Sequence, residues 1–198
     1  MKKIILSLAV FLSLTNAFSQ SFMHGAGLTV MGATHTRYSN DFSYGEGFTY
    51  SPRFNFLETD ALSVSVGIPL SIAVSASESL QNQYGDYTSS VGILFNIPLI
   101  VNLNMGRGST KDNRQKFGYF VGAGFGYQHG DYLSDYYDYN TNTTSSGYSV
   151  NTYGPAANAG VRIGVGRKHK NVEIKLSYMK GLNETKQDIF GLACLFNF

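Results

Sequence analysis

The chain has 198 residues, with 15 Lys and Arg, 13 Asp and Glu, and one cysteine. A single cysteine excludes an internal disulfide framework. Without Lys2 and Lys3 the basic count equals the acidic count, which argues against a nucleic-acid binder. Only 14% of residues are charged, whereas Gly (22), Tyr (14) and Phe (14) abound, so a framework low in charge and rich in aromatics has to be explained.

The first segment, residues 1–19, reads as a secretory signal peptide. Lys2 and Lys3 form a positive start, Ile4 to Leu14 a short apolar stretch, and Ala17 and Ser19 the small residues before a cleavage expected at Gln20. No cysteine lies nearby, so a lipoprotein is not expected. Residues 20–198 then form one domain. Beyond the signal no apolar run reaches the length of a membrane helix, so any passage through a membrane would be by strands.

From there the chain alternates at period two, the repeat of a strand whose side chains face opposite sides. Residues 24–34 alternate weakly around Ala26, Leu28 and Val30, and residues 48–56 around Phe48, Tyr50, Phe54 and Phe56. Residues 62–74 place Leu62, Val64, Val66, Ile68, Leu70, Ile72 and Val74 on one face, and residues 89–105 repeat the pattern from Val91 to Leu103. Residues 117–128 alternate aromatics with glycines. Segments 153–166 and 172–179 set aliphatics against Asn158, Arg162, Glu173 and Lys175, and 190–198 ends on Phe196 and Phe198. That makes eight strands.

The predicted fold is all-β: an eight-stranded antiparallel up-and-down transmembrane β-barrel. The interior of eight strands is narrow and filled by side chains. The small and polar face fits it, so the bulky face must point outward, which is tolerable only in lipid. Outer loops are expected near 36–46, 76–87, 129–149 and 181–187, and inner turns near 57–61, 106–116 and 167–171. The turn at 106–116 is longer than usual. All four prolines (52, 69, 98 and 155) fall inside these strands. Proline removes a ladder donor, so breaks or bulges are expected there.

Few residues suggest chemistry. Gly122, Gly124 and Gly126 lack the strand–turn–helix setting of a phosphate loop and read as lumen-facing glycines. The four histidines show no metal spacing. Cys194 reads as a small apolar residue facing lipid. No catalytic, cofactor or metal residue is assigned. Arg53, Arg162, Glu173 and Lys175 are the candidate lumen charge network. Across the turn at 167–171, Arg162 and Lys175 are expected nearly opposite each other, with Glu173 diagonal to offset them, and the expected role is a structural ion network, because unpaired buried charge is costly. The tyrosine-rich segment 129–149, with Asp131, Tyr132, Asp135, Tyr136, Tyr137, Asp138 and Tyr139, is the candidate surface loop for an extracellular ligand.

"FNIPLIVNLNMG" at 95–106 resembles the Ile-Pro-Leu strand of PorT-like outer-membrane β-barrel proteins, and "FGYFVGAGFGYQ" at 117–128 is similar to the strand that follows it there. Phe196 and Phe198 resemble a barrel-assembly signal. The resemblance implies an integral place in the outer membrane of a Gram-negative cell. The partners implied are outer-membrane lipid and, through the last strand, the barrel-assembly machinery. A monomer is expected. The functional expectation is a non-enzymatic barrel with a structural envelope role and surface loops for adhesion or partner binding. A lipid-modifying enzyme and a small pore or transport accessory stand as alternatives, although no Ser/His pair lies at useful spacing.

Overall fold

The computed structural model describes residues 21–34, 42–80, 87–138, 142–166, 170–183 and 186–198. The signal segment 1–19 lies outside the described residues. Nine strands follow in order: β1 (Ser21–Thr34), β2 (Phe42–Phe56), β3 (Leu62–Gly67), β4 (Leu70–Leu80), β5 (Tyr87–Gly106), β6 (Phe117–Asp138), β7 (Asn142–Gly164), β8 (Asn171–Lys180) and β9 (Asp188–Asn197). Every pairing between them is antiparallel, and β9 closes on β1 to complete the ring. The closure extends to the last residue, whose amide donates to the His24 carbonyl at 3.0 Å.

Nine strands make a ring of eight because β3 and β4 share one place between β2 and β5. The register is unchanged across the break. Gly67 faces Arg53 before it, and Leu70 faces Tyr50 after it. By continuation Pro69 stands opposite Pro98 of β5 and beside Ser51 and Pro52 of β2. Three prolines from three adjacent strands therefore meet where the ladder lacks rungs, and the missing donors are grouped rather than scattered. Pro155 sits just beyond the last β7–β8 pair, Ala156 with Met179. The expected break is thus present at Pro69, without an extra residue.

Following the register once around fixes the geometry. From Ile93 the partners run through Val74, Glu46, Val30, Leu192, Leu176, Ala159 and Val121, and return to β5 at Leu103, ten residues on. An offset of this size tilts the strands by about 40° and leaves a narrow interior.

Several expected loops are corrected. Segment 129–149 is mostly strand: β6 runs to Asp138, and β7 begins at Asn142, paired to it. Residues 42–46, 76–80 and 87 are also strand. These segments carry polar residues on both faces, so alternation of apolarity could not mark them. β4 to β7 rise together above the rest of the wall as a tall ribbon, while the opposite end carries the turns.

Candidate functional site

The wall separates two environments. Leu28, Val74 and Leu176 are 73%, 59% and 61% exposed on its outer face. They belong to a belt that continues through Leu99, Phe125 and Phe196 around the ring. Cys194 is exposed on the same face, paired with Leu28 and Ile174. Toward the turn end, the ring of His24 lies 4.4 Å from that of Phe198, beside the Tyr50 hydroxyl. Large apolar side chains exposed on every strand are tolerated only against lipid.

Inside, the turn end of the lumen is polar. Glu173 Oε2 accepts from Arg162 Nε at 2.7 Å, Arg53 Nη1 at 3.0 Å and Asn197 Nδ2 at 3.1 Å. Glu173 and both arginines are buried. Arg162 also donates to Asn104 Oδ1 at 2.9 Å, and Asn104 donates to Ser65 Oγ at 2.9 Å. The guanidinium of Arg162 lies 4.3 Å over the Phe120 ring, a favourable seat for a planar cation. Phe120 fits because Gly160 stands opposite it; a Cβ there would meet the ring at 2.5 Å.

The register corrects one expectation. Glu173 lies directly opposite Arg162, and Lys175 opposite Gly160. The carboxylate, not the lysine, is the cross-strand partner of Arg162. Lys175 is buried yet makes no ion pair or hydrogen bond among the described residues. Asn104, Asn197 and Phe120 were missed as members of this layer. Their inward parity was visible in the alternation, but their partners depend on the register.

The long turn at 106–116 closes the turn end. Gly106 and Gly108 take φ of 69° and 77°, in the left-handed region. A Cβ on Gly108 would also stand 2.9 Å from Arg162 Cδ. The chain thus folds inward and buries Arg107, Ser109, Thr110 and Asn113. Asn55 Nδ2 donates to the Ser109 carbonyl at 2.7 Å, Asn113 Nδ2 to the Asp60 carbonyl at 2.7 Å, and Arg107 Nη2 to the Lys170 carbonyl at 2.9 Å. Toward the ribbon end the filling becomes apolar, with one cluster of Ala33, Ile100, Ala156, Met179 and Ile189, and another of Met31, Ala73 and Leu94. Between the two halves remain voids of about 20 and 30 Å³. The lumen is packed rather than open.

On the outer face of the ribbon, beyond the belt, a polar chain runs across β6 and β7. Tyr127 Oη donates to Asn151 Oδ1 at 2.7 Å, and His129 Nδ1 lies 2.7 Å from the same oxygen. His129 Nε2 stands 3.2 Å from Asp131 Oδ1, to which Ser149 Oγ donates at 2.6 Å. The doubly protonated imidazole donates to both neighbours, so the Asn151 bond first, and then Asp131, raises its pKa above the usual 6.5. The Ser149 bond and then His129 lower that of Asp131 below 3.8. The carboxylate stands between serine and histidine, so this imidazole is not placed to take the serine proton, as nucleophilic catalysis requires. Asp131 is therefore within this chain. Tyr132, Asp135, Tyr136, Tyr137 and Asp138 lie along the β6 backbone, and Tyr139 lies outside the described residues. Among the described residues no group of His, Cys, Asp and Glu could hold a metal ion.

These features define a closed, antiparallel, eight-place barrel that is apolar outside and polar within. No protein-family model and no curated protein matches the chain. Among solved structures it is similar to Ail, the attachment invasion locus protein of Yersinia pestis, at 12% identity over 90% of this chain and 98% of that one, with a TM-score of 0.48. It is also similar to the outer membrane protein OprG of Pseudomonas aeruginosa, at 11% identity over 89% and 95%, with a TM-score of 0.49. A third similar structure is Neisserial surface protein A, at 11% identity over 90% and 97%, with a TM-score of 0.41. The likeness is one of chain course and carries nothing about role. The PorT-like resemblance rests on the residues quoted for it.

Proposed function

We propose that the chain is an integral, non-enzymatic protein of a bacterial outer membrane, of PorT-like type, with the ribbon end facing the cell exterior. The observation that carries this reading is the belt of exposed apolar side chains around a lumen of buried polar ones. Its role is structural, and the ribbon is the part offered to partners. Above the β7–β8 pairing, β7 presents a long stretch from Asn142 that pairs with β6 on one side only among the described residues. A strand edge of this kind can accept a further strand. The buried charge layer and the inward turn support structure over conduction. Phe196 and Phe198, on the outer face of the closing strand, suit docking to the assembly machinery. The sequence supports a cleaved signal over residues 1–19 and a single domain over 20–198.

The test is heat modifiability of protein extracted from isolated outer membranes. A band that shifts on boiling is the expected result; an unshifted band found only in the soluble periplasm overturns the reading. Orientation is tested in whole cells with Ser145→Cys in a Cys194→Ala background. An impermeant maleimide labels it if the ribbon faces outward and leaves it unlabelled if the ribbon faces inward.

A further inference from the structure

We propose that the lumen holds one small monovalent anion of the chloride class, seated beside Lys175 between the charge layer and the apolar filling. The first argument is charge. Arg53, Arg162 and Lys175 are all buried in this part of the lumen, and Glu173 is the one buried carboxylate among the described residues. Glu173 already accepts from both arginines through one oxygen. Three cations against one anion, in a space closed by the inward turn, leave charge that low-dielectric surroundings make expensive.

The second argument is unmet hydrogen bonding. Arg53 Nε, Asn102 Oδ1 and Asn158 Oδ1 are buried without a partner, and Lys175 makes no ion pair or hydrogen bond among the described residues. All four side chains line the same void of about 20 Å³. Native interiors rarely leave such groups orphaned without an ion or water between them. A space of this size admits one guest about as large as a water molecule. The Asn102 and Asn158 amides can turn their N–H groups inward. The guest would then receive N–H donors from an ammonium, a guanidinium and two amides, which is a coordination shell for an anion.

Occupancy stabilises the folded state by mass action. The test compares the full folded protein, unfolded and refolded by urea in detergent, in sodium bromide and in sodium sulfate at matched ionic strength. The expected result is a midpoint that rises with bromide and saturates, whereas sulfate gives only the non-saturating rise of an excluded salt, together with a bromine anomalous peak in the void. Lys175→Met removes the cation, and Asn158→Asp supplies a carboxylate in place of the ion. Both variants should lose the bromide response, and N158D should refold as well in sulfate as the wild type does in bromide. Should either variant fail to fold, the wild-type titration and the anomalous map decide. A bromide titration with no saturating rise and no bromine peak overturns the proposal and leaves a water there. A bromide response kept by both variants overturns it by placing the ion elsewhere.

Discussion

The two ends of the barrel are held by different means. At the turn end, charges and amides are bonded across strands that are distant in sequence, and the 106–116 turn lies over them. At the ribbon end, small apolar clusters fill the lumen, and the projecting strands are joined by their ladder and a surface chain of polar groups. The first arrangement tolerates no loss of a partner, because whatever remains is buried and unsatisfied. The second has water within reach. The turn end therefore specifies the barrel, and the ribbon end is free to vary.

The largest expected effect comes from Glu173→Ala. Both arginines lose their buried carboxylate, at a cost of about 3–5 kcal/mol, and the urea midpoint should fall sharply. An unchanged midpoint would break the contrast between the ends. Gly160→Val comes next. Its Cβ would lie 2.5 Å from the Phe120 ring and 2.4 Å from the Ile174 carbonyl oxygen. Overpacking of this kind costs about 1–3 kcal/mol, and it should also unseat Arg162 from the ring. Asn55→Ala removes the donor to the Ser109 carbonyl, at roughly 1 kcal/mol. Limited proteolysis should then cut within 106–116, where the wild type resists.

At the ribbon end the effects shrink. Replacing residues 135–145 by a two-residue Asn-Gly turn between the paired Ser134 and Ser146 should change the stability by no more than about 0.5 kcal/mol, while abolishing any binding that the ribbon provides. A large loss of stability would erase the difference between the ends. The smallest effect is one of pH. The raised pKa of His129 means that its contribution is complete below pH 6.5 and is lost as pH rises through the folded value. The lowered pKa of Asp131 means that its contribution is present above pH 3.8 and is lost as pH falls through its folded value. Protection of the Gly130 and Val150 amides, measured against intrinsic exchange at each pH, should therefore be greatest in the window between those folded values, with the wall unaffected. His129→Gln should flatten the alkaline side of that window.

Much of this was legible in the sequence, for a physical reason. Lipid outside and a tight lumen inside impose one alternation on every strand, so the faces of Leu176 and Lys175 could be read from parity alone. Partners could not. Which residue faces Arg162 depends on two residues of register between β7 and β8, a shift that leaves every side chain on its own face, and Glu173 rather than Lys175 holds that place. The inward turn was equally hidden. A polar run such as that from Arg107 to Lys116 looks the same whether it is bathed in water or bonded to Asn55 and Lys170. The ribbon escaped notice because polar residues stand at both parities along it, as from Asp131 to Asp138.

The grouped prolines give the wall a mechanical grain. A cylinder of continuous rungs resists tearing equally at all points, but one whose missing rungs coincide has a perforation. Pulled from its amino terminus by a cantilever, the chain should yield first up to Pro69, in the middle of a wall position rather than at a hairpin turn. β4 should stay behind on β5, held by ten register pairs.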